Sequence, residues 1–184
     1  IEGLVRRLSL EELQALRDES ASAQADGAGG WVRCAVHAEL AGRDPEAAME
    51  WLISSPDLAN YDGWGYRQIW FSTFRGWAKN GPAAALAKLH EFSSTTERTG
   101  RVMLPEEIGD HDDYLQFIQR DHIWQLQAFQ EVFREYARYD LEKALTAVPD
   151  AGVDVVGYRD AIVEGILSGV QGEEDTRKLV ERWG

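Results

Sequence analysis

The sequence has little cysteine, little β-branched character and a shortage of positive charge. Its single cysteine, Cys34, excludes an intrachain disulfide and any cysteine-based metal site. That usage suits a reducing compartment but leaves the choice between cytoplasm and periplasm open. Nineteen Lys and Arg stand against 32 Asp and Glu, a formal net charge of −13. Such a surface repels nucleic acid and anionic membranes, which need a basic patch. The nearest approach to one is the pair Arg6 and Arg7. No apolar run nears the length of a membrane-crossing helix, and no signal peptide is visible. The chain opens at Ile1 rather than Met, so the expectation is a processed or trimmed product, with more repeats outside it as an open option. Glycine-rich phosphate loops, dinucleotide fingerprints and the Gly-x-Ser-x-Gly elbow are all missing. Gly27-Ala28-Gly29-Gly30 follows no strand and is expected to be a turn, along with the rest of Ala25–Gly30.

What is present is apolar and aromatic. Apolar residues make up 44% of the 184, including seven Trp, six Tyr and six Phe. That is enough to fill the core of one ordinary domain and argues against disorder. Apolar positions recur every three or four residues rather than every two, which predicts helices throughout. Ser9-Leu10-Glu11-Glu12 reads as a capping box, in which hydroxyl and carboxylate each accept from a free backbone N–H. Leu10, Leu13 and Leu16 then form a stripe. A second helix spans about Trp31–Ala41, with Trp31, Cys34, Ala35 and Ala38 on one side. Asp44-Pro45 restarts the chain, with Asp as cap and Pro where no N–H is needed, and Ala48, Trp51 and Leu52 as its stripe.

The pattern recurs. A helix over about Gly63–Lys79 carries Ile69, Trp70, Phe74, Trp77 and Ala78, turns at Asn80-Gly81, and restarts at Pro82 with Ala85, Leu86, Leu89 and Phe92. Ala41, Pro45, Ala47, Ala48 and Leu52 align with Ala78, Pro82, Ala84, Ala85 and Leu89 at one constant spacing. Weaker copies run through Phe129, Val132, Phe133, Tyr136, Ala137, Asp140, Ala144 and Leu145, and through Tyr158, Ile162, Val163, Ile166 and Val170. A single hairpin cannot bury its own face, so copies stack. The expectation is an all-α fold of about 8–9 helices, a right-handed stack of antiparallel helical hairpins (an α–α superhelix). It forms one helical-repeat domain over 1–184, with an irregular insertion at about 93–122.

The fragments Leu40-Ala41-Gly42-Arg43-Asp44-Pro45-Glu46-Ala47-Ala48 and Trp77-Ala78-Lys79-Asn80-Gly81-Pro82-Ala83-Ala84-Ala85 resemble the turns of tetratricopeptide- and HEAT-type repeats. They are most similar to uncharacterised bacterial helical-repeat proteins with a W-A-x-x-D-P-x-A-A turn. The resemblance covers Trp31–Phe92 well and the rest loosely. The spacing is uneven, and no copy carries the full tetratricopeptide consensus. The resemblance implies a non-catalytic, protein- or peptide-binding scaffold role and brings no catalytic residues or cofactors with it.

Two places could meet a partner. Near the start of the aromatic helix, Trp64, Tyr66 and Arg67 are of the residue types that interface hot spots use. Within the insertion, whose first half is expected to be a loop from Ser93 on, Asp110, His111 and Tyr114 lie in an acidic stretch with Glu106, Glu107, Asp112 and Asp113, and His122 follows. Carboxylates and imidazole could hold a divalent cation, but the spacing matches no metal motif, and a solvated acidic first turn that favours the helix dipole is the preferred reading. Metal-dependent or enzymatic use of residues 106–113 is the alternative function; a structural piece of a longer array is another. His37 and His90 are expected to be surface or packing residues, and Cys34 a small core residue rather than a nucleophile.

Overall fold

The computed structural model describes residues 1–21, 28–54, 63–99, 111–148 and 158–183. Side chains are described for 1–20, 29–54, 68–91, 125–148 and 159–182. Among the described residues every regular element is an α-helix, and there are ten: α1 (Glu2–Val5), α2 (Leu10–Ala21), α3 (Ala28–Arg43), α4 (Pro45–Ser54), α5 (Gly63–Asn80), α6 (Pro82–Thr99), α7 (His111–Tyr139), α8 (Leu141–Ala147), α9 (Tyr158–Gly169) and α10 (Glu173–Trp183). The all-α expectation is met. One helix more than expected appears because Glu2–Val5 forms a single turn that the periodicity was too short to reveal. The chain divides into two compact units, Ile1–Asn80 and Gly81–Gly184.

The helix starts are built as the local chemistry dictates. Glu12 N donates to Ser9 Oγ at 3.2 Å and Ser9 N donates to Glu12 Oε2 at 2.7 Å, closing the capping box of α2. Ala47 N donates to Asp44 Oδ1 at 3.1 Å at the start of α4. Lys143 N donates to Asp140 Oδ1 at 3.1 Å at the start of α8. The turns before those two helices are also alike: Asp44 N donates to Leu40 O and Asp140 N to Tyr136 O, both at 2.8 Å.

Two local expectations are corrected. Ala28–Gly30 is helical, not a turn. Glycine costs little in a first turn, where the backbone N–H groups have no intrahelical partner anyway. Ser93–Thr99 is the continuation of α6, not a loop. The remainder of the expected loop, 100–110, lies outside the described residues.

In unit 1, α3 is the central helix. α1, α2, α4 and α5 all pack against it, with α4 joined to α3 by Asp44 alone. Val5, Leu13, Val36, Leu40, Ala41 and Ala48 form the core, with Leu8, Leu16, Val32, Ala35 and Trp77 against it. α1 is tied down by Arg43, whose guanidinium donates to Leu8 O at 2.7 Å and to Arg6 O at 2.9 Å, and by the Arg75–Glu2 pair at 2.5 Å. α3 and α5 run parallel. Ala38 lies against Gly76, and Gly42 against both Gly76 and Asn80. A Cβ built on Gly76 would run into the Ala38 backbone carbonyl, so glycine there sets how closely the helices approach.

In unit 2, α7 is the central helix, with α6, α8 and α9 around it. Phe129, Val132, Phe133, Ile162 and Ile166 are buried. α9 runs parallel to α7, with Gly165 on the Gln130 carbonyl and Gly169 on that of Arg134. Most positions aligned as repeats in the sequence are buried, among them Ala41, Ala48, Leu52, Ala78, Pro82, Ala85, Leu86, Leu89, Ala137, Ala144 and Leu145, but Pro45 and Ala47 are half-buried and Ala84 is exposed.

Candidate functional site

The apolar stripe expected of α3 is not the one the protein buries. Trp31 is 68% exposed, and Cys34, Ala35 and Ala38 are half-buried. The buried face is instead Arg33, Val36, His37, Leu40 and Ala41. Its spacing is just as helical, but two of its members are polar, so composition alone favours the other face. α5 packs on the Ala38 line through glycine contacts, and Leu13 of α2 shares one core cluster with Val36 and Leu40.

His37 is 1% exposed, and neither ring nitrogen has a hydrogen-bond partner among the described residues. Its ring meets that of Trp51 on α4 at 4.8 Å between centroids. The Arg17 guanidinium of α2 sits over the same indole at 4.7 Å, a cation–π contact. Arg33, one turn before His37, donates from Nη2 to the Ser20 carbonyl at the end of α2. Burial pushes the His37 pKa down to about 3; Arg17 and then Arg33 add repulsion, and Asp18 partly offsets them. The imidazole is therefore neutral at ordinary pH. On the neighbouring face, Cys34 Sγ donates to Gln68 Oε1 at 3.7 Å. Burial raises its thiol pKa, against a hydrogen bond with Ser72, so it is a poor nucleophile.

All of this lies at one end of unit 1, where α2 and α4 finish and α3 and α5 begin. Trp64, Tyr66 and Arg67 are on the opening turns of α5, and their side chains lie outside the described ones. Because α3 and α5 are parallel, those turns run alongside the first turn of α3, which carries Trp31. Ile53, 48% exposed in the last turn of α4, is at the same end. The sequence pattern does not mark Trp31 and Ile53 as surface residues, nor the buried Arg33 and His37 with the half-buried Arg17 as a group. The available signal was Arg33, His37 and Leu40 recurring at helical spacing.

His111 and Tyr114 are in the first turn of α7, in unit 2; Asp110 lies outside the described residues, as do Glu106 and Glu107. Among the described residues no group of three His, Cys, Asp or Glu is placed to hold a metal ion. Nor is any described helix long and apolar enough to cross a membrane. His90 packs its ring against Phe129 at 5.5 Å. No family model, curated protein or solved structure matches the chain.

Proposed function

We propose that this protein is a non-catalytic binding module, a stack of antiparallel helical hairpins that presents the opening turns of α3 and α5 to a peptide or protein. The observation that carries the reading is Trp31, a large apolar side chain 68% exposed beside the helix start that bears Trp64, Tyr66 and Arg67. A solvent-exposed Trp next to further aromatic and Arg positions is the composition of an interface centre. The parallel α3/α5 and α7/α9 pairs support the stacked-hairpin architecture, since successive outgoing helices of stacked hairpins run in the same direction. The matched turns at Asp44 and Asp140 support it as well.

Selection of random displayed peptides on the folded chain, with the heat-unfolded chain as control, tests the function. Enrichment of peptides that bind only the folded chain supports it; equal enrichment on both sinks it. Calorimetric titration of a selected peptide then tests the surface. Trp31→Ala should weaken binding about tenfold or more with an unchanged melting temperature. Unweakened binding moves the partner surface away from α3.

A further inference from the structure

α2 is a polar helix with little buried apolar surface. Among its described side chains Leu13 is the one fully buried and Leu16 is half-buried; its other described ties to α3 and α4 are polar. Arg33 reaches the Ser20 carbonyl, and Arg17 lies over Trp51. Beneath these contacts sits His37, enclosed by α2, its own helix and the Trp51 ring of α4, with both nitrogens unpartnered among the described residues. A neutral imidazole there leaves one donor and one acceptor unmade, a standing cost to the closed arrangement. A protonated imidazole is worse: it places a third cation beside Arg17 and Arg33. The carboxylate acting on it is that of Asp18, which already accepts from Arg17 Nε at 2.8 Å. α4 offers the indole face and no countercharge.

We propose that α2 is an acid-released latch: protonation of His37 opens α2 from α3 and α4 while the rest of unit 1 stays folded. The state that binds the proton is the one in which water reaches the imidazole, and lifting α2 is the smallest movement that admits it. Segments with few buried apolar contacts open below the free energy of global unfolding, and α2 is such a segment. Its departure uncovers the Val36–Leu40 line that Leu13 covers, so acid exposes an apolar strip on α3. This inference does not depend on the binding role proposed above.

Amide hydrogen exchange of the full chain at pH 7 and pH 5, corrected for the intrinsic dependence of exchange on pH, tests it. With His37 near 3 when covered and at the ordinary imidazole value when uncovered, protection of α2 should fall roughly twenty-fold between these pH values. Protection of α4 and α5 should hold, and the fall in α2 should vanish in both His37→Phe and His37→Gln. In the wild-type chain alone, unchanged α2 protection overturns the latch. So does an equal loss in α2 and α5, which marks unfolding of the whole unit. Persistence of the fall in either folded variant assigns the proton to another group and also overturns it.

Discussion

The two units solve the same packing problem with different polar content. In each, two parallel helices meet through glycine: Gly76 on Ala38 in unit 1, Gly165 and Gly169 on Gln130 and Arg134 in unit 2. Beside the α7/α9 seam the buried carboxylate, Glu135, is matched by Arg138 at 3.0 Å and Arg134 at 3.5 Å. Beside the α3/α5 seam Thr73 is buried but returns its hydroxyl to Ile69 O at 2.8 Å, whereas His37 is buried with no hydrogen-bond partner among the described residues. A satisfied polar group needs only a structural explanation. An unsatisfied one is a cost to the folded state that calls for an explanation.

The shared seam is the largest effect to break. Gly76→Ala and Gly169→Ala each push a methyl into a backbone carbonyl that cannot turn aside, so each should cost about 3 kcal/mol in chemical denaturation. If one is tolerated, the two seams are not equivalent. The buried imidazole comes next. The pKa of His37 is depressed on folding, so below about 6.5 the unfolded chain binds the extra proton. Its penalty is absent above the ordinary imidazole value and grows by about 1.4 kcal/mol per pH unit as pH falls toward 3. Denaturation at pH 5 should show roughly 2 kcal/mol lost in the wild type and none of that component in His37→Phe. The phenyl variant should match or exceed wild-type stability at pH 7, since no unmade hydrogen bonds remain.

The matched caps are smaller. Asp44→Ala should cost about 1 kcal/mol in a thermal melt, and Asp140→Ala should lower stability in the same sense. Asp140 is held below the usual carboxylate value by the Lys143 backbone N–H and side chain, so its contribution is complete above about pH 3.8 and is lost as acid protonates it. Smallest is Trp31→Ala, which should move the melting temperature by the equivalent of less than about 0.5 kcal/mol. A larger loss would mean the indole is packed, which would remove the basis of the proposed binding surface.

The turn chemistry was readable residue by residue because each partner lies within four positions: Ser9 with Glu12, Asp44 with Ala47, Asp140 with Lys143. Most of the aligned alanines and leucines were readable as core for a related reason, since an aliphatic residue at matched helical spacing has few other uses; Ala84, exposed, and Ala47, half-buried, are the exceptions. Trp70 and Phe74 followed from the same logic and are buried. The candidate site was read only in part. Trp64, Tyr66 and Arg67 stand out by residue type, whereas periodicity puts Trp31 only on one side of α3, His37 reads as a surface or packing residue, and the charge of Arg33 argues for the surface.

Sequence by itself determined that the described elements are helices and where the capped ones, α2, α4 and α8, start, because caps and periodicity act over three or four residues. Only the tertiary structure decided which face of α3 is covered. Both of its faces have helical spacing, and the choice was made by Leu13 of α2 and Gly76 of α5, far from α3 along the chain. That choice leaves Trp31 in water and His37 out of it.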